Sequence, residues 1–196
     1  MQPRAWPLVK RWIDQATNQV TTHPADPDGG ARVLETLGVT ERSVLGALAV
    51  HTGGFSVDHG WLDVLGGPRL LEWHDRLEDS LIVGYDAVAG FYAVDRQEGE
   101  VRYLAPDTLE WEGTEMGHAA WVHWTLTGDL AEFYANLRWP GWERETAPLG
   151  PDVGLTLYPP PFSREGRSIA DVKRGPAPMA ELWAVQQEYI RQLMGA

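Results

Sequence analysis

The sequence predicts an α+β fold: one domain over residues 1–196, with a central, mainly antiparallel sheet and helices at the N-terminus, in the middle and at the C-terminus. Three observations predict it. Apolar residues recur at helical spacing near both ends of the chain. Short β-branched and aromatic runs, parted by turn residues, fill the middle. No linker, internal repeat or low-complexity tract divides the 196 residues. A chain of that length buries about 70% of its unfolded surface without help from disulfides or metal.

Trp6, Val9, Ile13 and Ala16 form the apolar stripe of a first helix, which Trp12 widens and Pro7 opens. His23 to Gly30 reads as turn chemistry. Leu34 and Leu37 belong to a short second helix stopped by Gly38. From Leu45, the run LGALAV, the Gly53-Gly54 turn and FSVDHGWLDVL predict a meander of short strands, with Phe55 and Val57 on one face. Pro68 opens a helix with Leu70, Trp73, His74 and Leu77 inward and Arg69, Glu72, Asp75 and Arg76 on the other face. LIVGYD and GFYAVD are strands. Residues 95–100 then turn the chain into VRYLA, a hairpin with a loop longer than two residues. Two helices flank Gly128. Met116, Ala120 and Trp124 share the stripe of the first, widened by Trp121. Asp129 caps the second, with Glu132 three residues on, and Leu130, Phe133, Tyr134 and Leu137 face inward. Residues 139–174 are rich in breakers, and VGLTLY (153–158) is the one strand candidate among them. A last helix covers about residues 178–194, with Leu182, Val185, Tyr189 and Leu193 inward.

Composition excludes several functions. The chain has no Cys, which removes disulfides, thiol nucleophiles and Cys-based zinc sites. It has no apolar run of membrane-spanning length. Arg4, Lys10 and Arg11 interrupt the N-terminal stretch, so no signal-peptide core is present and a soluble, cytoplasmic protein is expected. Lys and Arg number 16 against 28 Asp and Glu, a net charge of −12, which argues against binding a nucleic-acid backbone. Residues 163–196 carry five basic and four acidic groups, so the first 162 residues hold −13. A basic protein partner is favoured electrostatically. Solubility alone is the plainer account of the same charge.

Each candidate for chemistry has a structural alternative. His51, Asp58, His59 and Asp63 match no ligand spacing, and Asp58 and His59 alternate faces on a strand, so polar turn residues are favoured over a metal site. His118 and His123 diverge on a helical wheel. His74, on an apolar face, reads as a core His with one hydrogen bond. Asp107, Glu110 and Glu112 crowd Trp111, an arrangement that can raise a general acid. An acidic turn after a strand accounts for them equally well. No nucleophile elbow, phosphate loop or dinucleotide fingerprint is present, so no cofactor or metal is expected.

Ten Trp stand out. Trp6, Trp12, Trp73, Trp121, Trp124 and Trp183 lie in helical segments and belong by default to the core. Trp61, Trp111, Trp139 and Trp142 lie in loops beside Gly, Pro, Asp and Glu, where binding anchors concentrate. Arg138 in RWPGW is placed to stack on an indole. Asp58, Trp61, Asp107, Glu110, Trp111, Trp139 and Trp142 are therefore the candidate binding residues of a non-enzymatic interaction module, expected to share one exposed face. Two alternatives stand beside it. One is a small-ligand-binding protein or hydrolase-type enzyme with a pocket near His59, Asp107 and Glu110. The other is a structural homo-oligomer. Oligomeric state stays open.

GALAVHTGGFSVDHGWLDVLGG (46–67), GFYAVD (90–95), YLAPDTLEWEG (103–113) and TGDLAEFYANLRWPGWE (127–143) resemble the uncharacterised bacterial family called domain of unknown function 2625. The resemblance runs from about residue 4 to about residue 180. Departures are Ala89-Gly90 where the family has Gly-Gly, Trp73-His74 for Trp-Asn, and Tyr85 for an acidic residue. The family implies no activity. The order of elements is also similar to SUKH proteins (the Smi1/Knr4 superfamily). Many of these are bacterial immunity proteins that neutralise toxins, which implies a sheet used as a binding platform.

Overall fold

A computed structural model describes residues 4–195. Helix α1 (Trp6–Asp14) is followed by strand β1 (Val20–Thr22) and helices α2 (Pro27–Leu37) and α3 (Val44–His51). Strands β2 (Gly54–Val57) and β3 (Leu62–Leu65) and the short helix α4 (Arg69–Trp73) come next. Strands β4 (Ser80–Asp86), β5 (Phe91–Asp95), β6 (Glu100–Leu104) and β7 (Trp111–Gly117) complete the sheet. Helices α5 (His118–Thr127), α6 (Leu130–Phe133) and α7 (Trp142–Thr146) lead to the hairpin β8 (Val153–Tyr158) and β9 (Lys173–Pro178), and α8 (Met179–Met194) ends the chain.

The seven strands β1–β7 pair in chain order, every pair antiparallel, and β8 pairs antiparallel with β9. The predicted α+β class with an antiparallel sheet is what the chain adopts. Strand β4 is buried on both faces after its first residue, because helices cover the sheet from both sides. On one face Trp121 of α5 packs on Tyr92, ring centroids 5.0 Å apart. It lies so close to β4 that a Cβ on Gly84 would sit 2.7 Å from its ring. On the other face Trp73 and Trp183 meet Phe91 at 5.6 and 4.8 Å.

Several elements correct the sequence reading. LGALAV is a helix, not a strand. Ser43 caps it by accepting from the Gly46 N–H at 3.0 Å, and Val44, Ala47, Leu48 and Ala49 are all buried. A helix apolar all round has no period to read, and the cap was the available signal. Helix α2 begins inside the predicted turn, where Asp26 accepts from Gly29 at 2.9 Å and Pro27 occupies the first turn. Met116 lies in strand β7, not on α5. The buried face of α5 is Trp121, Val122, Thr125 and Leu126, while Ala120 is exposed. Phe133 is exposed, although Asp129 caps α6 as predicted. Strand β9 was not predicted. On α8 the buried face is Met179, Leu182, Trp183 and Gln186, whereas Val185 and Leu193 are 50% and 58% exposed. The indole of Trp183 removes more apolar area from water than Val185 would, and its burial sets the helix rotation. Among the described residues, no helix is long and apolar enough to cross a membrane.

Candidate functional site

The β2–β3 turn starts the site. Asp58, His59 and Gly60 all have left-handed backbones, with φ of 54°, 56° and 76°. Two of the three are not glycine, so each costs on the order of 1–2 kcal/mol. The surrounding structure holds them. The Asp58 N–H donates to the Gln19 carbonyl and the His59 N–H to Gln19 Oε1, both at 2.8 Å. Thr146 Oγ1 donates to the His59 carbonyl at 2.9 Å. This turn does not alternate faces as a strand would. It aims Asp58 at Arg138, with Asp58 Oδ2 2.7 Å from Arg138 Nη2.

Arg138 is caged by aromatic rings. Its Cζ lies 4.0 Å from the Trp142 ring centroid, 4.8 Å from Trp61 and 5.2 Å from Tyr134, so the expected cation–indole stack is present. Trp61 meets Trp142 and Trp139 at 5.0 and 5.9 Å. Trp139 Nε1 donates to Glu145 Oε1 at 2.8 Å, and Glu145 in turn pairs with Arg174 at 3.0 Å. Above the cage opens a polar groove of about 540 Å³. Asn18, Asp58, Asp129, Glu143, Trp139 and Trp142 are among its walls, with Arg138 at its edge. Three carboxylates against one guanidinium leave it two charges negative.

The structure brings together Asp58, Trp61, Trp139 and Trp142 but leaves Asp107, Glu110 and Trp111 outside this groove. The single exposed Trp face is corrected: Trp61, Trp139 and Trp142 are 0%, 4% and 9% exposed, and only Trp111 reaches 36%. Their rings pack around Arg138 because an indole gains more from burial and a cation face than from water. Asp107 lines a separate cavity with Asn136, Pro161 and Arg167. Glu110 and His59 are exposed, and among the described residues no hydrogen bond or ion pair joins His59 to Asp107 or Glu110. Asp107 lines its cavity without either of them, so the structure does not bring the three together there.

A second polar cluster was missed altogether. Arg69 does not face solvent. Its Nη2 is 2.5 Å from Asp63 Oδ2 and 2.8 Å from Asp152 Oδ1, and Tyr85 also donates to Asp152. Asp63 is 6% exposed and Tyr85 2%. Burial raises the Asp63 carboxyl, but His23 and Arg69 outweigh it and hold it below its usual range. Burial pushes the Tyr85 phenol well above its ordinary value. Ser56, His23 and Asp63 also meet, yet His23 uses one nitrogen for both: Nε2 is 2.9 Å from Ser56 Oγ and 3.2 Å from Asp63 Oδ1. A nucleophile–base–carboxylate relay needs the two partners on opposite ring nitrogens, so this set is a hydrogen-bond network around Asp63. His51 pairs with Glu41 at 3.2 Å, away from Asp58. Among the described residues no group of three or more metal-ligating side chains forms.

Asp86 is the third missed group. It is 0% exposed and accepts from the N–H groups of Val88 and Gly90 at 3.0 and 2.8 Å and from Tyr103 Oη at 2.6 Å. Burial pushes it up to about 6, against the pull of these three bonds. Gly90 is required here, since a Cβ would fall 2.1 Å from Asp86 Oδ2. The Arg69 cluster has no local signal in the sequence, because Asp152 lies 83 residues from Arg69; the Asp86 turn is local, its carboxylate accepting from residues two and four further on, and only Tyr103 comes from another strand.

Comparison with known proteins places the chain. It is 33% identical over 201 residues to the uncharacterized protein YbfG of Escherichia coli (strain K12), covering 94% of this chain and 91% of that one. It is 28% identical over 185 residues to an uncharacterized protein of Haemophilus influenzae (strain ATCC 51907 / DSM 11121 / KW20 / Rd), covering 85% and 80% of the two chains. No solved structure matches it. The family described as Protein of unknown function DUF2625 matches residues 1–182, and the chain belongs to that family.

Proposed function

We propose that the protein is a non-catalytic interaction module that takes a basic protein segment into the groove beside Arg138. The observation that carries this reading is the wall itself: Asp58, Asp129 and Glu143 line the groove against the single cation Arg138. An entering Lys or Arg meets the carboxylates of Asp129 and Glu143. The excess negative charge of the first 162 residues steers such a partner in. Arg138 stays fixed in the wall: Asp58 balances its charge and three rings hold it still.

A peptide of ten lysines is the probe. It binds the protein at about 20 mM salt and weakens several-fold by about 200 mM, as screening requires. The double substitution Asp129→Asn, Glu143→Gln weakens it about fivefold, two exposed pairs at several tenths of a kcal/mol each. Asn keeps the oxygen that accepts from the Glu132 N–H at 2.9 Å, so α6 stays capped. Calorimetric titration reads both. Equal affinity for wild type and variant would sink the assignment.

A further inference from the structure

A second face, built from β8, the loop after it and α8, shares no lining residue with the acidic groove. Tyr158, at the end of β8, is 68% exposed, and Val185 and Leu193 of α8 are exposed by half or more. Val185, Tyr189 and Leu193 follow at i, i+4 and i+8, so they form one stripe of the helix. Tyr189 packs edge to face on Phe162 at 5.0 Å. Val185, Tyr189, Phe162 and Tyr158 border one open concavity, and none of its lining residues is charged. Single exposed apolar side chains are ordinary, but a contiguous patch of them marks a contact surface.

Charge decides what covers it. Residues 153–162 hold no charged group, and residues 163–196 hold five basic and four acidic ones. The elements of this face are therefore near neutral, while residues 1–152 carry −13. Two copies that meet here face little repulsion, whereas a contact through the acidic remainder sets like charge on like. The signs are also sorted across the concavity. On the hairpin edge, Lys173 stands opposite Tyr158 in the β8–β9 register. Arg167 lines an adjoining cavity with Pro161, Phe162 and Asp107. On the helix edge, Glu181 and Glu188 come four residues before and three after Val185, as its neighbours on the helix surface. Glu188 makes an exposed pair with Arg191 at 2.6 Å. Among the described residues, Lys173, Arg167 and Glu181 join no ion pair.

We propose that this face binds a second copy of the chain in a two-fold dimer whose axis runs along α8. An isologous contact sets one patch against itself, and this axis lays the helix edge of each copy over the hairpin edge of the other. Glu181 and Glu188 then meet Lys173 and Arg167, twice over by symmetry. The stripe of Val185, Tyr189 and Leu193 closes on Tyr158 and Phe162 of the other copy. An axis across α8 would set acid on acid and base on base.

Light scattering and sedimentation of the full chain across concentration test it. The wild type moves from monomer to dimer as concentration rises. Val185→Glu, at an exposed position, weakens association about tenfold or more by burying an unpaired charge, with the circular-dichroism spectrum unchanged. The charge reversals test the axis. The Glu181→Lys, Glu188→Lys protein and the Lys173→Glu, Arg167→Glu protein each keep the wild-type spectrum and lose self-association, and an equimolar mixture of the two recovers a heterodimer. A wild type that stays monomeric up to about 1 mM, or a Val185→Glu protein that associates like wild type, would overturn the proposal. So would a mixture of the two reversed proteins no more associated than either alone.

Discussion

Replacing Arg69 with Met lowers the unfolding free energy by about 3–5 kcal/mol, the cost of leaving one member of a buried ion pair alone. Asp63 is the member left behind. It is 6% exposed, and without Arg69 only His23 and Ser56 still reach its carboxyl, both at Oδ1. Tyr85 and Asp152 lose the same guanidinium. For a chain of this length the melting temperature drops by on the order of 10 °C. The effect carries a pH signature. Asp63 is held below its usual range by His23 and Arg69. A carboxyl depressed in the folded state stabilises above its unfolded value and loses that contribution as pH falls through the folded one. In wild type this loss falls in the acid range below the ordinary carboxylate value. Without Arg69 the folded-state value rises, so that contribution shrinks and the stability curve flattens on the acid side. Urea unfolding followed by circular dichroism at several pH values measures both. A loss below about 1 kcal/mol would show that Arg69 is solvated rather than locked in the network.

Asp86 gives the second large effect. Asp86→Ala strands three buried donors, from Val88, Gly90 and Tyr103, and lowers stability by about 3–5 kcal/mol at 1–3 kcal/mol for each orphan after partial relaxation. Asp86→Asn behaves differently. Its Oδ1 still accepts both backbone N–H groups, while the Tyr103 hydroxyl turns to accept from the new amide. The sign of the pH effect follows from the raised value. Folded Asp86 titrates at about 6 and unfolded Asp near 3.9. The folded state therefore holds the extra proton between those values, and stability falls as pH rises through them. From pH 5 to pH 8 wild type loses about 1.4 kcal/mol that the Asn variant keeps. Parallel stability curves for the two proteins over that range would contradict the burial account.

The class of fold was legible because strands such as LIVGYD and FYAVD are rich in β-branched and aromatic residues. Asp129 and Gly38 were legible for a similar reason, since caps are local chemistry. Helix α3 was not, because an apolar run without period fits a strand equally well. Arg69 was placed on a solvent face because its own helix says so. Its partners Asp63, Tyr85 and Asp152 come from β3, β4 and the turn before β8, and only the fold brings them together. The site was half legible for the same reason. RWPGW and DHGWL announced aromatic and charged residues in loops. That they would close on Arg138 and bury Trp61 depends on three left-handed residues at 58–60, two of which are not glycine. Asn18 and Gly128, joined by a 3.1 Å hydrogen bond across 110 residues, illustrate contacts that no spacing in the sequence reveals.

The most direct test of the acidic groove uses the indole N–H signals of the ten Trp in a nitrogen-15 NMR titration with the ten-lysine peptide. Trp139 and Trp142 line the groove, whereas Trp111 lies outside it. The signals of Trp139 and Trp142 shift with peptide, and in the Asp129→Asn, Glu143→Gln protein the same shift takes about fivefold more peptide. Shifts centred on Trp111, with Trp139 and Trp142 unmoved, would contradict the account.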